Sequence, residues 1–172
     1  MAHVYNLNQV AISVPDLDKA IDFYTELFGL HVIGKMDEEQ MKHLAPGHSI
    51  NQMYGPEIKK FKVAFLVTGN SVGFEMFQFI DPPYQGPTEV PPRFGPQEYT
   101  RGGFFHVGFT VEDPEAILAK AVELGARQIG QMTRPTPNLS GTYMYDPWGN
   151  VVELISADFQ QLFLQMLAKS GG

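Results

Sequence analysis

The feature that most constrains the fold of this chain is an internal repeat. Residues 9–27 read QVAISVPDLDKAIDFYTEL and residues 106–124 read HVGFTVEDPEAILAKAVEL, at a constant offset of 97 positions. The identical pairs are Val10/Val107, Val14/Val111, Asp16/Asp113, Glu26/Glu123 and Leu27/Leu124. Self-similarity at a fixed offset indicates two copies of one structural unit.

Each copy begins with a predicted strand followed by a predicted helix. Apolar residues alternate with small or polar residues in the first part of each copy, which is the period-two pattern of a half-buried strand. Asp16 and Asp113 then occupy N-cap positions, where a carboxylate accepts hydrogen bonds from free backbone N–H groups. Gly29 and Gly125 offer left-handed C-caps at the predicted helix ends.

Three further strands in each copy complete a βαβββ unit. The predicted strands are 31–35, 61–68 and 73–80 in the first copy and 127–131, 142–145 and 151–156 in the second. The predicted class is therefore α+β, with two tandem βαβββ modules forming a curved eight-stranded mixed sheet.

The chain is predicted to be a single domain made of four segments. These are a first module at 5–80, a proline-rich connector at 81–103, a second module at 104–156 and a C-terminal helix at 157–172. A short helix is predicted near 38–43, whereas the six prolines of the connector argue against a helix or central strand there. The C-terminal helix is amphipathic, so its apolar face needs a partner surface within the subunit or across a dimer.

Charge and cysteine content exclude several classes of function. The formal net charge is −7 with 12 Lys and Arg residues, which argues against a nucleic acid or an anionic membrane surface as the partner. No cysteine is present, so disulfides, thiolate metal ligands and cysteine nucleophiles are excluded. Neither a secretory signal nor a membrane span is visible, and we expect a cytoplasmic protein.

Four polar residues are predicted to lie on one side of the sheet. Gln9 and His106 open the two repeat strands, and Glu75 and Glu153 lie in the final strand of each copy. If the helices cover the apolar faces, strand parity directs all four side chains to the opposite face. Burying two carboxylates, an imidazole and an amide is costly unless they are paired, and a divalent cation offsets that cost. Ordinary hydrogen-bonded or exposed polar groups remain the alternative interpretation.

These motifs resemble a known family. QVAISVPDLDKAIDFYTELFGL, HVGFTVEDPEAILAKAVELGA, YMYDPWGNVVELIS and GFEMFQF are similar to motifs of the vicinal oxygen chelate superfamily. That superfamily includes glyoxalase I, methylmalonyl-CoA epimerase, extradiol dioxygenases, and fosfomycin and bleomycin resistance proteins. The resemblance covers nearly the whole chain apart from the two inserts, 36–60 and 81–103, and the C-terminal helix.

The resemblance implies a ligand set and a reaction. The metal ligands of the superfamily fall on Gln9, Glu75, His106 and Glu153, a set similar to that of eukaryotic-type glyoxalase I. This implies a divalent cofactor (Zn, Ni, Co or Mn, and Fe less readily), with Glu153 as the catalytic base and Glu75 as its counterpart. An extradiol dioxygenase would be expected to carry a histidine where Gln9 stands, which argues against oxygen chemistry.

The sequence departs from glyoxalase I where that enzyme binds glutathione. Ser13 stands in place of an arginine and Phe79 in place of an asparagine, while Arg101 is one position away from the place of a second arginine. We therefore predict that the substrate pocket has an apolar lining and binds a ligand more apolar than a glutathione adduct. Its predicted residues are Ser13, Phe77, Phe79, Val151 and Ile155.

The favoured hypothesis is a metal-dependent lyase or isomerase, similar to lactoylglutathione lyase, acting by proton transfer next to a carbonyl. Its substrate would be a small hydroxy-carbonyl compound or a thioester, and the protein is expected to be a homodimer. The alternatives are an extradiol-type ring-cleaving dioxygenase and a non-catalytic small-molecule-binding protein of the resistance type.

Overall fold

The chain divides into two compact units, residues 1–86 and residues 87–172. The structure is a computed structural model, and it describes residues 3–44, 50–91, 93–100 and 102–170. Each unit contains one four-stranded mixed sheet. The α+β class and the eight strands are confirmed, with the strands arranged as two sheets of four.

The first unit has the predicted order of strands. Its elements are β1 (Gln9–Ser13), α1 (Leu17–Phe28), β2 (His31–Asp37), α2 (Glu38–Leu44), α3 (Ile50–Tyr54), β3 (Lys60–Val67) and β4 (Gly73–Asp81). The strand order is β1-β4-β3-β2. β1 pairs with β4 in parallel, and the other two pairings are antiparallel.

The second unit repeats this topology. Its elements are α4 (Pro96–Tyr99), β5 (Val107–Thr110), α5 (Pro114–Glu123), β6 (Arg127–Thr136), β7 (Leu139–Tyr145), β8 (Val151–Ile155) and α6 (Phe159–Ser170). The strand order is β5-β8-β7-β6, again with one parallel pairing, between β5 and β8. The internal repeat is therefore a repeat of structure as well as of sequence.

The repeated helices begin as predicted, and α1 also ends at the predicted glycine, whereas the C-cap of α5 is Leu124, one residue before the predicted Gly125. Asp16 accepts a hydrogen bond from the backbone N–H of Lys19 at 3.2 Å, and Asp113 accepts two from the first turn of α5. Gly29 ends α1 in the left-handed conformation with φ 65°. Gly125 also has a positive φ of 97°, directly after the C-cap residue Leu124.

Helix α1 covers one face of the first sheet. Leu17, Ala20 and Tyr24 are completely buried on α1, and the Tyr24 ring lies 5.0 Å from the ring of Phe74 on β4. Phe74 and Met76 are buried on this face, so Glu75 between them points to the other face. Full burial of each such large apolar side chain contributes about 2 kcal/mol.

The second unit is built on the same alternation. Met144, Val152 and Leu154 are completely buried, and α5 packs against their strands. Glu153 lies between Val152 and Leu154 in β8 and therefore points away from the buried face. In both units the helix-covered face is apolar and the opposite face carries the polar residues singled out above.

The turn between β7 and β8 is fixed by a buried acid. Asp146 is completely buried and accepts hydrogen bonds from the backbone N–H groups of Trp148 and Asn150 at 3.0 and 2.8 Å. Trp148 is 7% exposed. Gly149 has φ 88°, and a Cβ there would lie 3.0 Å from Cδ of Pro91 in the connector. The glycine thus permits both the turn and the close approach of the connector.

Three features differ from the predictions. A short helix, Pro96–Tyr99, lies in the connector, so the prediction that 81–103 contains no helix was wrong. The helix Ile50–Tyr54 in the first insert was not predicted. Strand β6 extends to Thr136, beyond the predicted end at 131, and contains Pro135. Because β6 is an edge strand, the missing N–H of Pro135 leaves no central pairing unsatisfied.

No helix within the described ranges is long and apolar enough to cross a membrane.

Candidate metal-binding and active-site residues

Gln9 and Glu75 form a pair on the open face of the first sheet. The parallel register places Gly73 opposite Gln9 and Glu75 opposite Ala11, so both side chains lie on the same face. The Gln9 side chain donates a hydrogen bond to Glu75. A Cβ at Gly73 would lie 3.0 Å from Cβ of Gln9, so this glycine leaves room for the glutamine.

Partial burial affects the protonation of Glu75. Burial raises the pKa of the Glu75 carboxyl, and the hydrogen bond from Gln9 opposes this rise. A nearby cation would stabilise the charged form of a carboxyl whose pKa burial raises.

Aromatic rings lie on the same face of the sheet as the Gln9–Glu75 pair. Phe77 lies opposite Ser13 in the β1–β4 register, and its ring stacks on that of Phe79 with centroids 5.7 Å apart. Phe61, from β3, lies 6.2 Å from the Phe77 ring. Ser13, Phe77 and Phe79, which were predicted as pocket residues, thus share a face with Glu75, and that face is largely apolar.

His106 and Glu153 form a pair on the open face of the second sheet. His106 Nε2 lies 3.3 Å from Glu153 Oε2, and the two side chains are 30% and 24% exposed. Gly108 lies opposite Glu153, and a Cβ there would lie 3.5 Å from Oε2. The repeat therefore gives each unit one strand-opening polar residue beside one glutamate.

Tyr143 is a site residue that the sequence analysis missed. It lies directly opposite Glu153 in the β7–β8 register and donates a hydrogen bond to the glutamate side chain. Its ring lies 5.2 Å from the imidazole of His106 in an edge contact. Burial, followed by the hydrogen bond to Glu153 and its charge, raises the pKa of Tyr143 to about 12, so the phenol stays protonated near neutral pH.

Aromatic rings from the connector and from Phe105, at the start of the second module, lie near His106. The Phe105 ring lies 4.9 Å from the His106 ring, and Phe94 lies 5.9 Å from Phe105. Tyr99 of α4 contacts both phenylalanine rings, at 5.7 and 6.3 Å. Phe94 and Tyr99 of the connector thus pack against Phe105, which itself contacts His106.

Helix α6 covers part of the open face near Glu153. A pocket of about 260 Å³ is lined by Glu153, Tyr143 and Ile155 from the sheet and by Leu162 and Met166 from α6. Part of the apolar face of α6 thus has its partner surface inside the unit. Val151, the other predicted pocket residue of this unit, precedes Glu153 on the same face of β8.

Each unit thus brings together two of the four predicted metal ligands. Within either unit, no group of three or more His, Asp or Glu side chains among the described residues could hold a metal ion. A single centre formed by Gln9, Glu75, His106 and Glu153 stays a prediction. Arg101 lies outside the described residues.

Comparison with known proteins identifies the family. Residues 6–154 match the family model described as the Glyoxalase/Bleomycin resistance protein/Dioxygenase superfamily. The chain belongs to this superfamily. It is 28% identical over 171 residues to a lactoylglutathione lyase of Arabidopsis thaliana, covering 94% of this chain and 48% of that protein. The chain therefore spans about half the length of this curated relative.

Solved structures share the fold of this superfamily member. A glyoxalase family protein from Bacillus cereus is 22% identical, with a TM-score of 0.71, covering 90% of this chain and 95% of that one. A fosfomycin resistance protein from Listeria monocytogenes, solved with Mn(II) and sulfate, is 13% identical, with a TM-score of 0.57. That match covers 94% of this chain and 99% of the resistance protein.

Proposed function

We propose that this superfamily member is a divalent-metal-dependent lyase or isomerase of the glyoxalase type. It would catalyse proton transfer next to a carbonyl in a small hydroxy-carbonyl compound or thioester. The observation that carries the proposal is the arrangement around Glu153, which combines a carboxylate, an imidazole 3.3 Å away and a phenol donor on one open face. Similarity to a lactoylglutathione lyase supports the same class of reaction.

The donor types of the four residues fit a divalent cation. Gln9 with Glu75 and His106 with Glu153 would hold the ion, supplying two carboxylates, an imidazole nitrogen and an amide oxygen. Two negative ligands balance the charge of the ion, and a mixed nitrogen–oxygen set suits Zn, Ni, Co or Mn. When bound, such an ion supplies Lewis-acid polarisation of a substrate carbonyl.

Glu153 is the proposed proton-transfer group. Its side chain is about one quarter exposed, which lets a substrate reach it while limiting competition from water. The protonated Tyr143 phenol holds the carboxylate by a hydrogen bond and so restricts its orientation. Glu75 is the proposed counterpart on the face of the first sheet.

The surroundings of Glu75 favour an apolar group in the substrate. Ser13 and Phe79 occupy positions where the glyoxalase I resemblance implies an arginine and an asparagine for glutathione. The stacked rings of Phe77 and Phe79 offer a hydrophobic surface instead. We therefore propose a substrate other than an ordinary glutathione adduct.

The test is solvent-deuterium exchange followed by NMR. The purified protein, metal-free or loaded separately with Zn, Ni, Co or Mn, is incubated in deuterated water with a panel of hydroxy-carbonyl compounds and thioesters. We expect deuterium at the carbon next to the carbonyl in at least one metal-loaded sample and none in the metal-free sample. Absence of exchange throughout the panel would contradict the proposed reaction.

A second assay separates this proposal from the dioxygenase alternative. The Fe(II)-loaded protein is incubated with catechols and oxygen consumption is recorded. We expect no consumption above that of Fe(II) alone, because Gln9 stands where the extradiol resemblance implies a histidine. Ring cleavage with oxygen uptake would support the dioxygenase alternative.

We also propose that the protein is a homodimer. Helix α6 exposes Phe159, Leu164 and Leu167 at 77%, 58% and 64%, an apolar stripe of the kind found at subunit contacts. Light scattering should give twice the chain mass of 19.2 kDa. Leu167→Glu should shift the population toward monomer, whereas Val122→Glu, on the exposed side of α5, should not. A monomeric wild type would contradict the proposal.

A further inference from the structure

The second unit contains an open pocket that the proposed proton-transfer chemistry leaves unused. Its volume is about 560 Å³, and it is lined by Arg93 and Phe94 of the connector, Arg127 and Ile129 of β6, and Tyr143 of β7. Gln128, Gly130 and Gln131 complete its lining. The pocket combines two arginines with apolar walls, and none of its lining residues is acidic.

The two arginines of this pocket make no ion pair within the part of the chain that the structure describes. Arg134, the other described arginine, instead pairs with Glu115 outside the pocket. Acidic side chains are in excess in this chain, which has a formal net charge of −7. Even so, no described acidic residue forms an ion pair with Arg93 or Arg127. Two guanidinium groups facing one cavity without a carboxylate form a favourable place for an anion.

Tyr145 ties the two arginine-bearing segments together. The Arg127 guanidinium carbon lies 5.4 Å from the centre of the buried Tyr145 ring, a cation–π contact. The Tyr145 hydroxyl donates a hydrogen bond to the backbone oxygen of Arg93 at 3.4 Å, and the Phe94 ring contacts Tyr145 edge-on at 6.0 Å. The connector is thus held against β7 at Tyr145, which brings the backbone of Arg93 close to the residue that the Arg127 guanidinium contacts.

The strand register relates this pocket to Glu153. Arg127 lies opposite Tyr145, Ile129 lies opposite Tyr143, and Tyr143 lies opposite Glu153. All of these side chains share the open face of the sheet, and β6 is two strands away from β8. Two strand spacings amount to about 10 Å. Tyr143 is shared, because it lines the pocket and also donates to Glu153.

We propose that this pocket binds the anionic end of the substrate, a carboxylate or a phosphate, while the reacting carbons lie at Glu153. The placement of the reacting carbons at Glu153 rests on the proposed function. The planar forks of Arg93 and Arg127 match the paired oxygens of either anion. Phe94 and Ile129 contact the apolar segment that joins the anion to the reacting group. The substrate class is a small organic anion with an apolar linker.

Binding of simple probes tests the pocket without catalysis. Three probes are titrated into the metal-free protein: hexanoate, hexyl phosphate and the neutral hexanamide. Dissociation constants are obtained from the NMR shifts of the arginine side-chain N–H groups and of the backbone. We expect at least one of the two anions to bind at least about tenfold more tightly than hexanamide. Preference for hexanoate or hexyl phosphate identifies the natural anion as carboxylate or phosphate.

Matched variants assign the binding to this pocket. Arg93→Gln and Arg127→Gln should each weaken binding of the preferred anion at least about tenfold. Arg134→Gln should leave the dissociation constant within about twofold of the wild-type value. Arg127→Lys keeps the charge but loses the planar guanidinium, so its affinity for the anion should lie between those of the wild type and Arg127→Gln. This variant also provides a test in case Arg127→Gln does not fold. Equal binding of all three probes, or binding unaffected in both pocket variants, would overturn the proposal. Because no turnover is measured, such a failure is distinct from failure of deuterium exchange.

Discussion

The carboxylate of Asp146 is completely buried and is held by three donors of its own turn. The backbone N–H groups of Trp148 and Asn150 donate at 3.0 and 2.8 Å, and the Asn150 side-chain amide donates at 2.7 Å. A buried charge is tolerated only when it is hydrogen-bonded in this way. The acid of the DPWGN turn therefore has a structural role, in contrast to Glu153 on the open face.

Replacing Asp146 with alanine should lower the free energy of unfolding by about 3 kcal/mol, because three N–H groups lose a charged acceptor inside the protein. Urea denaturation followed by circular dichroism measures the change. Asp158→Ala is the control, since the exposed side chain of Asp158 accepts a hydrogen bond from the Gln161 N–H. The control substitution should lower the free energy of unfolding by about 1 kcal/mol. Equal losses for the two variants would show that burial of Asp146 is unimportant.

Glu153→Gln should reduce deuterium exchange by a factor of about 10² to 10⁴, because the amide cannot accept the substrate proton. The variant should stay folded, since glutamine keeps the size of the side chain. Glu112→Gln, an exposed residue of the same unit, should retain the wild-type rate. Exchange at the normal rate in Glu153→Gln, with the fold intact by circular dichroism, would assign the base to another residue.

Rules that depend only on neighbouring residues predicted the helix N-caps but not the hydrogen-bond partner of Glu153. The N-caps Asp16 and Asp113 were predictable because a cap depends only on the next few residues. Tyr143 was not predictable in the same way, because its bond to Glu153 depends on how two strands pair. Alternation alone placed Tyr143 in a strand but could not say which residue lies opposite it.

At the level of helices and strands, the backbone conformation alone explains why α1 ends at a glycine. Gly29 has φ 65°, and a Cβ placed there would meet no atom within 4 Å. The Gly29 N–H donates to the Thr25 carbonyl at 2.9 Å and so closes the last turn of the helix. A substitution at this position therefore tests left-handed strain without steric clash.

Gly29→Ala should destabilise the protein by about 1 kcal/mol, since an L-residue is strained at positive φ. Thermal and urea unfolding would measure this loss. Gly69→Ala is the matched control because it too has open space but lacks a positive φ. The control should be neutral or slightly stabilising, because alanine restricts the unfolded chain. A neutral Gly29→Ala would mean that α1 can end in another conformation.

Strands were predicted better than short helices for a physical reason. Alternation of apolar and polar residues records directly which face of a strand is buried, and each observed strand overlaps its prediction. Helices of four or five residues, such as Pro96–Tyr99 and Ile50–Tyr54, are too short to be stable alone. They form because of surrounding contacts, among them the ring contact of Tyr99 with Phe94.

At the scale of the whole molecule, the central proposal is that the protein binds a divalent metal in its native state. Adding Zn, Ni, Co or Mn to chelator-treated protein should raise the melting temperature. A free metal concentration of one hundred times the dissociation constant corresponds to about 2.7 kcal/mol of stabilisation. Glu75→Gln and Glu153→Gln should each reduce the shift, while Glu112→Gln should not. No shift with any of the four metals would contradict a native metal site.

The two-unit organisation was predictable from the repeat, whereas the ligand-binding surfaces were not. Repetition of strand and capping residues at one offset requires the same topology twice. The pocket of Arg93 and Arg127 depends on where the connector packs, through Tyr145 and Phe94. Nothing in the spacing of residues 81–103 along the chain records that packing.

The buried indole of the DPWGN turn also has a practical consequence for spectroscopy. Trp148 is the chain's single tryptophan, and it lies in the second unit. Intrinsic fluorescence excited at the indole therefore reports the state of residues 87–172, whereas the far-ultraviolet circular dichroism signal averages both sheets. If the two melting curves coincide, the halves unfold as one cooperative system; if they separate, the order of unfolding can be observed without any label.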